Sequence, residues 1–198
     1  MKRTNSIKRF FIQNRRLLLF LLLPLCGCIS GLFLYTPIKT FSADWLSLLA
    51  FEVIEPTIGS AFSAWLSVCF PSFCLLALLF ISGLSVCGAP CALLLPILWG
   101  VGVGLYQAHY AQSGANGWLL LLAVILPVAA IEMVVILMAS SESLHMSALL
   151  AAQLLPHSSR CGGLWQVFKL YCVRFLVFLL PVGMAGVWEV VLRLILGG

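Results

Sequence analysis

Five stretches of about twenty residues, each nearly bare of charge, constrain this chain more than any other feature. The stretches are 17–35, 61–84, 91–109, 117–138 and 170–194. A helix rising about 1.5 Å per residue crosses a hydrocarbon core of about 30 Å with about 20 apolar residues. Composition agrees: 63% of the 198 residues are hydrophobic and 9% are charged. The mean hydropathy is +1.14, whereas a soluble domain carries about 25% charged residues. The sequence therefore predicts an all-α, polytopic transmembrane helix bundle, a single membrane domain over 1–198 with short interfacial amphipathic helices beside the spans.

The segments between the runs suggest where each helix ends. Thr36-Pro37 is expected to close the first span, because the residue before proline is pushed out of the helical region. Leu25-Cys26-Gly27-Cys28 loosely imitates a bacterial lipoprotein cleavage box. The apolar run continues past it to Tyr35, so an uncleaved helix is the reading adopted. The outer segment 36–60 contains Lys39, Asp44, Glu52 and Glu55, and within it Trp45 to Glu55 has apolar residues at helical spacing. Pro71, Pro96 and Pro127 interrupt the second, third and fourth spans. The inner loop 139–165 is expected to hold a separate helix, Ser143 to Leu155, skimming the interface with Ser140 or Ser141 as its N-cap.

Charge sets the orientation. The leader 1–16 carries Lys2, Arg3, Lys8, Arg9, Arg15 and Arg16, a basic cluster at the membrane surface that anionic head groups attract. With Arg160, Lys169 and Arg174 the proposed inner side holds nine basic residues, against Lys39 and Arg193 outside. A multi-pass protein of the cell membrane follows, its N-terminus cytoplasmic and its C-terminus extracytoplasmic. The net charge of +5 thus reads as a membrane signal, and no nucleic-acid partner is expected.

Glu132 is the most informative single residue, because a carboxylate within a spanning helix costs about 2.5 to 3.5 kcal/mol unless paired. Counted from an inner helix end near Met138 it lies about 9 Å deep, similar to Arg174 counted from Lys169. An intramembrane ion pair between Glu132 and Arg174 is the expectation. Glu189 and Arg193 are four apart on one helix face, in the favourable order for a structural pair. Gly100 and Gly104 share a face on which another backbone can approach closely. The eight cysteines lie in or beside apolar runs, and the three histidines fall at three depths. Neither set has the spacing of a metal site. The sequence holds no HExxH, phosphate loop, GxSxG or dinucleotide fingerprint. No cofactor and no enzymatic activity are expected.

The stretch Ile81-Ser82-Gly83-Leu84-Ser85-Val86-Cys87-Gly88-Ala89-Pro90, followed by Trp99-Gly100-Val101-Gly102-Val103-Gly104-Leu105, resembles the stage II sporulation protein M family. Leu126-Pro127 and the run Ser140 to Ser147 resemble later parts of the family pattern. The likeness in motifs covers about Phe80 to Ser147, and the hydropathy plan covers the rest. The resemblance implies a scaffold that holds two peptidoglycan-degrading partners, stage II sporulation proteins D and P, at the septal membrane during engulfment. The partners expected are therefore the bilayer and other membrane proteins, with homo-oligomerisation left open. The alternative is a small-molecule transporter or permease component, with Glu132 and the proline-broken helices lining a path.

Overall fold

The computed structural model describes residues 15–41, 61–86, 88–112, 115–153 and 164–196. Within these the chain is helical and contains no strand. The helices are α1 (Arg15–Phe41), α2 (Ala61–Leu84), α3 (Ala89–Gln112), α4 (Ala115–Leu120), α5 (Leu126–Gln153) and α6 (Leu164–Leu196). A π-helical turn, Leu121–Ile125, joins α4 to α5. α2, α3, the run from α4 through α5, and α6 are each long and apolar enough to cross a bilayer. α1 adds a shorter apolar stretch, Leu21–Tyr35.

Proline chemistry accounts for the π turn. Pro127 has no N–H to give the carbonyl four residues earlier, and its ring crowds that carbonyl. The backbone widens just ahead of it, and the N–H of Leu126 reaches the carbonyl of Leu121, five residues back. Pro71, Pro96 and Pro181 lie inside α2, α3 and α6, each of which continues through its proline.

Two expected boundaries are displaced. α1 does not stop at Thr36-Pro37 but runs to Phe41, since a proline removes one hydrogen bond without compelling the chain to leave the helix. The inner loop is shorter than expected, because α5 runs unbroken to Gln153 and Ser143 begins no separate helix. Ser140 and Ser141 are therefore not N-caps. The hydroxyl of Ser140 donates to the carbonyl of Ile136 at 2.8 Å, satisfying its polarity within the helix. No proline or glycine interrupts residues 128–153, so nothing local stops the helix there. The expected amphipathic helix Trp45 to Glu55 lies outside the described residues.

α2, α5 and α6 pack on one another, α3 lies against α2 and α5, and α1 lies chiefly against α3. The shared core gathers Leu76 and Leu79 of α2, Ala92, Trp99 and Val103 of α3, Val135, Ile136 and Met146 of α5, and Tyr171, Phe175 and Val182 of α6. α1 has its own small contact, in which Tyr35 is buried with Leu105 and Ala108.

Candidate functional site

Lipid offers a polar side chain no hydrogen bonds, so every hydroxyl, amide and charge in a spanning helix must find its partner inside the protein. Here those partners lie mostly on neighbouring helices, at three levels of the bundle. The first level is the turn between α2 and α3. The N–H of Ser85 donates to the carbonyl of Ser82, and that of Gly88 to Ser85, both at 3.1 Å. A side chain at Gly88 would strike the carbonyl of Ser82, so this reversal is built around a missing Cβ.

α5 and α6 hold that turn from the side. Ser143 donates to the carbonyl of Leu79 at 2.9 Å, and its oxygen stands 3.0 Å from that of Ser82. One turn along, Ser147 donates to the carbonyl of Ser85 at 2.9 Å. From α6, Tyr171 donates to the carbonyl of Phe80 at 2.9 Å and stacks on the Phe80 ring, with centroids 5.1 Å apart. Gly83 lies beneath this group, where a Cβ would meet the Tyr171 hydroxyl and the backbone of Ser143. The end of α2 from Leu79 and the start of the turn at Ser85 thus form a clamp joining α2, α5 and α6.

The second level is the middle of the bundle. Ser72 of α2, 3% exposed, donates to Oε1 of Glu132 at 2.7 Å. Trp99 of α3 turns its Nε1 toward the same carboxylate without completing a hydrogen bond. Glu132 does not pair with Arg174. Arg174 instead reaches Glu142, Nη1 to Oε1 at 2.5 Å, on the flank where α5 meets α6. Ser72, the partner of Glu132, lies at the midpoint of α2, and Arg174 meets α5 ten residues further along, at Glu142, so the carboxylate lies about 15 Å deeper in the bundle than Arg174. Pro181 and Phe178 of α6 face Val134 and Met138 of α5, the same antiparallel register that sets Arg174 against Glu142.

The third level is the end of the bundle away from the turn. Arg193 donates to Oε1 of Glu189 from Nε at 3.1 Å and from Nη2 at 2.6 Å, the helical pair that the spacing predicts. Both side chains are nearly buried, at 11% and 10% exposure. Arg193 also donates to Tyr110 at 3.3 Å and to the Tyr106 hydroxyl, so α6 is tied to α3. Its guanidinium lies 5.8 Å from the Tyr106 ring centroid, within cation–π range.

Gly100 and Gly104 face α1. A Cβ on Gly100 would strike the carbonyl of Pro24, and one on Gly104 the carbonyl of Cys28. The seam is reciprocal, because Gly27 and Gly31 stand in the same way over the carbonyls of Ile97 and Val101. Two parallel helices meet backbone to backbone, glycine pair against glycine pair. At its end the Tyr35 hydroxyl lies 3.1 Å from Nδ1 of His109. Lys2, Arg3, Lys8 and Arg9 lie outside the described residues, as do the side chains of Arg15 and Arg16. Cys26, Cys28, Cys69, Cys74, Cys91 and Cys172 are free thiols. Among the described residues no three His, Cys, Asp or Glu side chains come together as metal ligands.

Several of these residues escaped the sequence reading. Gly27 and Gly31 carry the same four-residue spacing as Gly100 and Gly104, and that signal was available. Trp99 and Ser72 left none, since only the crossing of three helices brings them to Glu132. Nor did the groove between α2 and α6, about 620 Å³, lined by Trp65, Phe73, Leu180, Met184, Trp188 and Val191. At the base of this groove the indole N–H of Trp65 donates to the carbonyl of Gly183 at 3.0 Å.

No curated protein and no solved structure matches the chain. The family model of stage II sporulation protein M matches residues 17–192. That span takes in α2 through α5 whole and nearly all of α1 and α6, with the clamp, the glycine seam and the intramembrane carboxylate. The chain belongs to the stage II sporulation protein M family, and is a sporulation-related membrane protein.

Proposed function

We propose that the chain is a membrane scaffold that anchors peptidoglycan-remodelling partners, of the kind of stage II sporulation proteins D and P, at the septal membrane during engulfment. One observation carries the reading: the polar groups inside the bundle tie helix to helix, while the open grooves are apolar. Ser143, Tyr171 and Trp65 each reach a carbonyl on another helix, Ser147 reaches one in the turn between α2 and α3, and Arg193 reaches two tyrosines. The cleft between α2 and α6 is walled by Trp65, Phe73, Met184 and Trp188. A rigid frame with an apolar cleft suits capture of a partner's transmembrane helix, where shape rather than hydrophobicity decides association. Such a role asks no catalysis and no cofactor of the chain. The basic leader faces the cytosol in this reading, and the end of the bundle bearing Arg193 faces the wall.

Affinity capture of the tagged, full-length protein from membranes of cells early in sporulation tests the reading. Wall-degrading partners are expected in the eluate. Filling the cleft with Met184→Trp is expected to lower their recovery about tenfold, equivalent to about 1.4 kcal/mol of binding. Recovery of only a cytoplasmic nucleotide-hydrolysing subunit would sink the scaffold and favour the transporter.

A further inference from the structure

The scaffold reading gives no task to the polar group in the middle of the bundle. Ser72 lies at the midpoint of α2 and Trp99 near that of α3, so Glu132, beside both, is as far from either end of the bundle as a side chain can be. Oε1 of Glu132 accepts from Ser72 at 2.7 Å. Trp99 is 6% exposed, and its Nε1 is the single buried side-chain nitrogen or oxygen among the described residues that has no hydrogen-bond partner. It is turned toward the same carboxylate. A carboxylate this deep normally has a cation beside it, yet Glu132 has no ion pair among the described residues.

We propose that Glu132 is a proton-binding site in the middle of the membrane, and that Ser72 and Trp99 are the partners that accommodate its two states. The chemistry of the two neighbours supports the assignment. An indole N–H only donates, so Trp99, whose Nε1 has no partner in the structure, is available to the ionised carboxylate once a small shift closes that contact. A serine hydroxyl both donates and accepts. Ser72 donates to Oε1 when Glu132 is ionised. When Glu132 holds a proton, its O–H donates to Ser72, whose own hydrogen turns to the carbonyl of Val68, four residues back on α2. Ser72 can thus serve both states, and Trp99 adds a donor for the ionised one. In the exchange the carboxyl O–H bond breaks, its electron pair stays on the carboxylate, and the proton passes to water; uptake is the reverse.

The groups facing the site do not fix either state. On α2 the titratable neighbour is the Cys69 thiol, and on α6 it is Glu189, whose charge Arg193 already balances. From α3 comes Trp99, which does not ionise. Within a turn of Glu132 on α5 every residue is apolar. A fixed cation would hold the carboxylate permanently charged, and among the described residues none stands here.

Infrared difference spectroscopy on the full-length protein in lipid vesicles, between acidic and alkaline buffer, tests the site. A protonated carboxyl carbonyl band is expected at acidic pH, absent in Glu132→Gln. In Ser72→Ala the band is expected to persist but to move to higher wavenumber, because the carboxyl has lost its hydrogen-bond partner. A spectrum without a carboxyl band that Glu132→Gln removes would overturn the proposal, and so would a band that Ser72→Ala leaves in place. Ser72→Ala keeps the test decisive where Glu132→Gln disturbs the fold. As a second readout, dicyclohexylcarbodiimide adds the O–H of a protonated carboxyl across its C=N bond. Adduct on the Glu132 peptide is expected to fall as pH rises, and a pH-independent yield would count against the site. Neither readout depends on any partner, so its outcome stands apart from that of the scaffold reading.

Discussion

α1 and α5 are held in place by opposite means. α1 docks on α3 through four glycines and two runs of backbone, with Gly27 and Gly31 over α3 and Gly100 and Gly104 over α1. α5 docks on α2 and the turn that follows it through side chains that donate or accept: Glu132 and Ser143 on α2, Ser147 on the turn. Neither device relies on the hydrophobic effect, which supplies no drive between helices already in lipid. Backbone contact gains dispersion over a long seam and tolerates no added atom. Polar ties concentrate the energy in a few groups, and losing one partner leaves the other stranded.

The sharpest way to break the comparison is at the seam. Gly104→Leu puts a branched side chain where the obstruction is the carbonyl of Cys28, which has no rotamer with which to yield. A loss of about 3 kcal/mol in helix docking is expected, the upper end for overpacking. Fluorophores on α1 and α3 in vesicles would report it as lost energy transfer. Gly183→Ala serves as the control. Its added methyl would meet nothing closer than a carbon of Trp65 at 3.8 Å, an ordinary contact, so the substitution is expected to leave both docking and stability unchanged.

A smaller effect is expected at the clamp. Ser143→Ala removes the donor to the Leu79 carbonyl and the neighbour of the Ser82 hydroxyl, both buried. Ser82 keeps its own bond to Leu79 at 2.9 Å, so one tie is lost and no donor is stranded. About 1 kcal/mol of stability should go, the scale of one interhelical hydrogen bond in lipid. Reversible unfolding in mixed micelles measures it. Energy transfer between α1 and α3 should not change, because the seam shares no residue with the clamp.

How much of this was legible in the sequence follows from the same contrast. Features repeated along one helix could be read: the apolar runs, the Gly100 and Gly104 spacing, and the Glu189 and Arg193 pair. Features made by a crossing could not. Ser72 and Glu132 are sixty residues apart in sequence, and their contact depends on the register of α2 against α5. The serines of residues 140–147 read as the start of a loop, since polarity there can equally mean exposure to water. In the structure Ser140, Ser143 and Ser147 are buried and bonded to carbonyls, so their polarity marks contact within and between helices. The depth of Glu132 is hidden for the same reason, as it is set by contact with Ser72 at the middle of α2 and not by any feature of α5 itself.

The smallest effect expected is also the one that fixes the register between α5 and α6. Arg174 and Glu142 are 45% and 28% exposed, so their 2.5 Å contact forms on an outer face of the bundle, where solvent and head groups compete for both charges. A double-mutant cycle with Arg174→Met and Glu142→Gln should give a coupling of about 0.5 kcal/mol that weakens as salt is added. The same cycle with Glu132→Gln in place of Glu142→Gln should give none. If the larger coupling belonged to Glu132, α5 would be displaced along α6 by about 15 Å, the length of the helix between residues 132 and 142. α2 is tied to both helices, through Ser143 of α5 and through Tyr171 and the Gly183 carbonyl of α6. It could not follow such a slide with both sets of bonds intact, so even a weak ion pair, placed correctly, reports on the packing of all three helices.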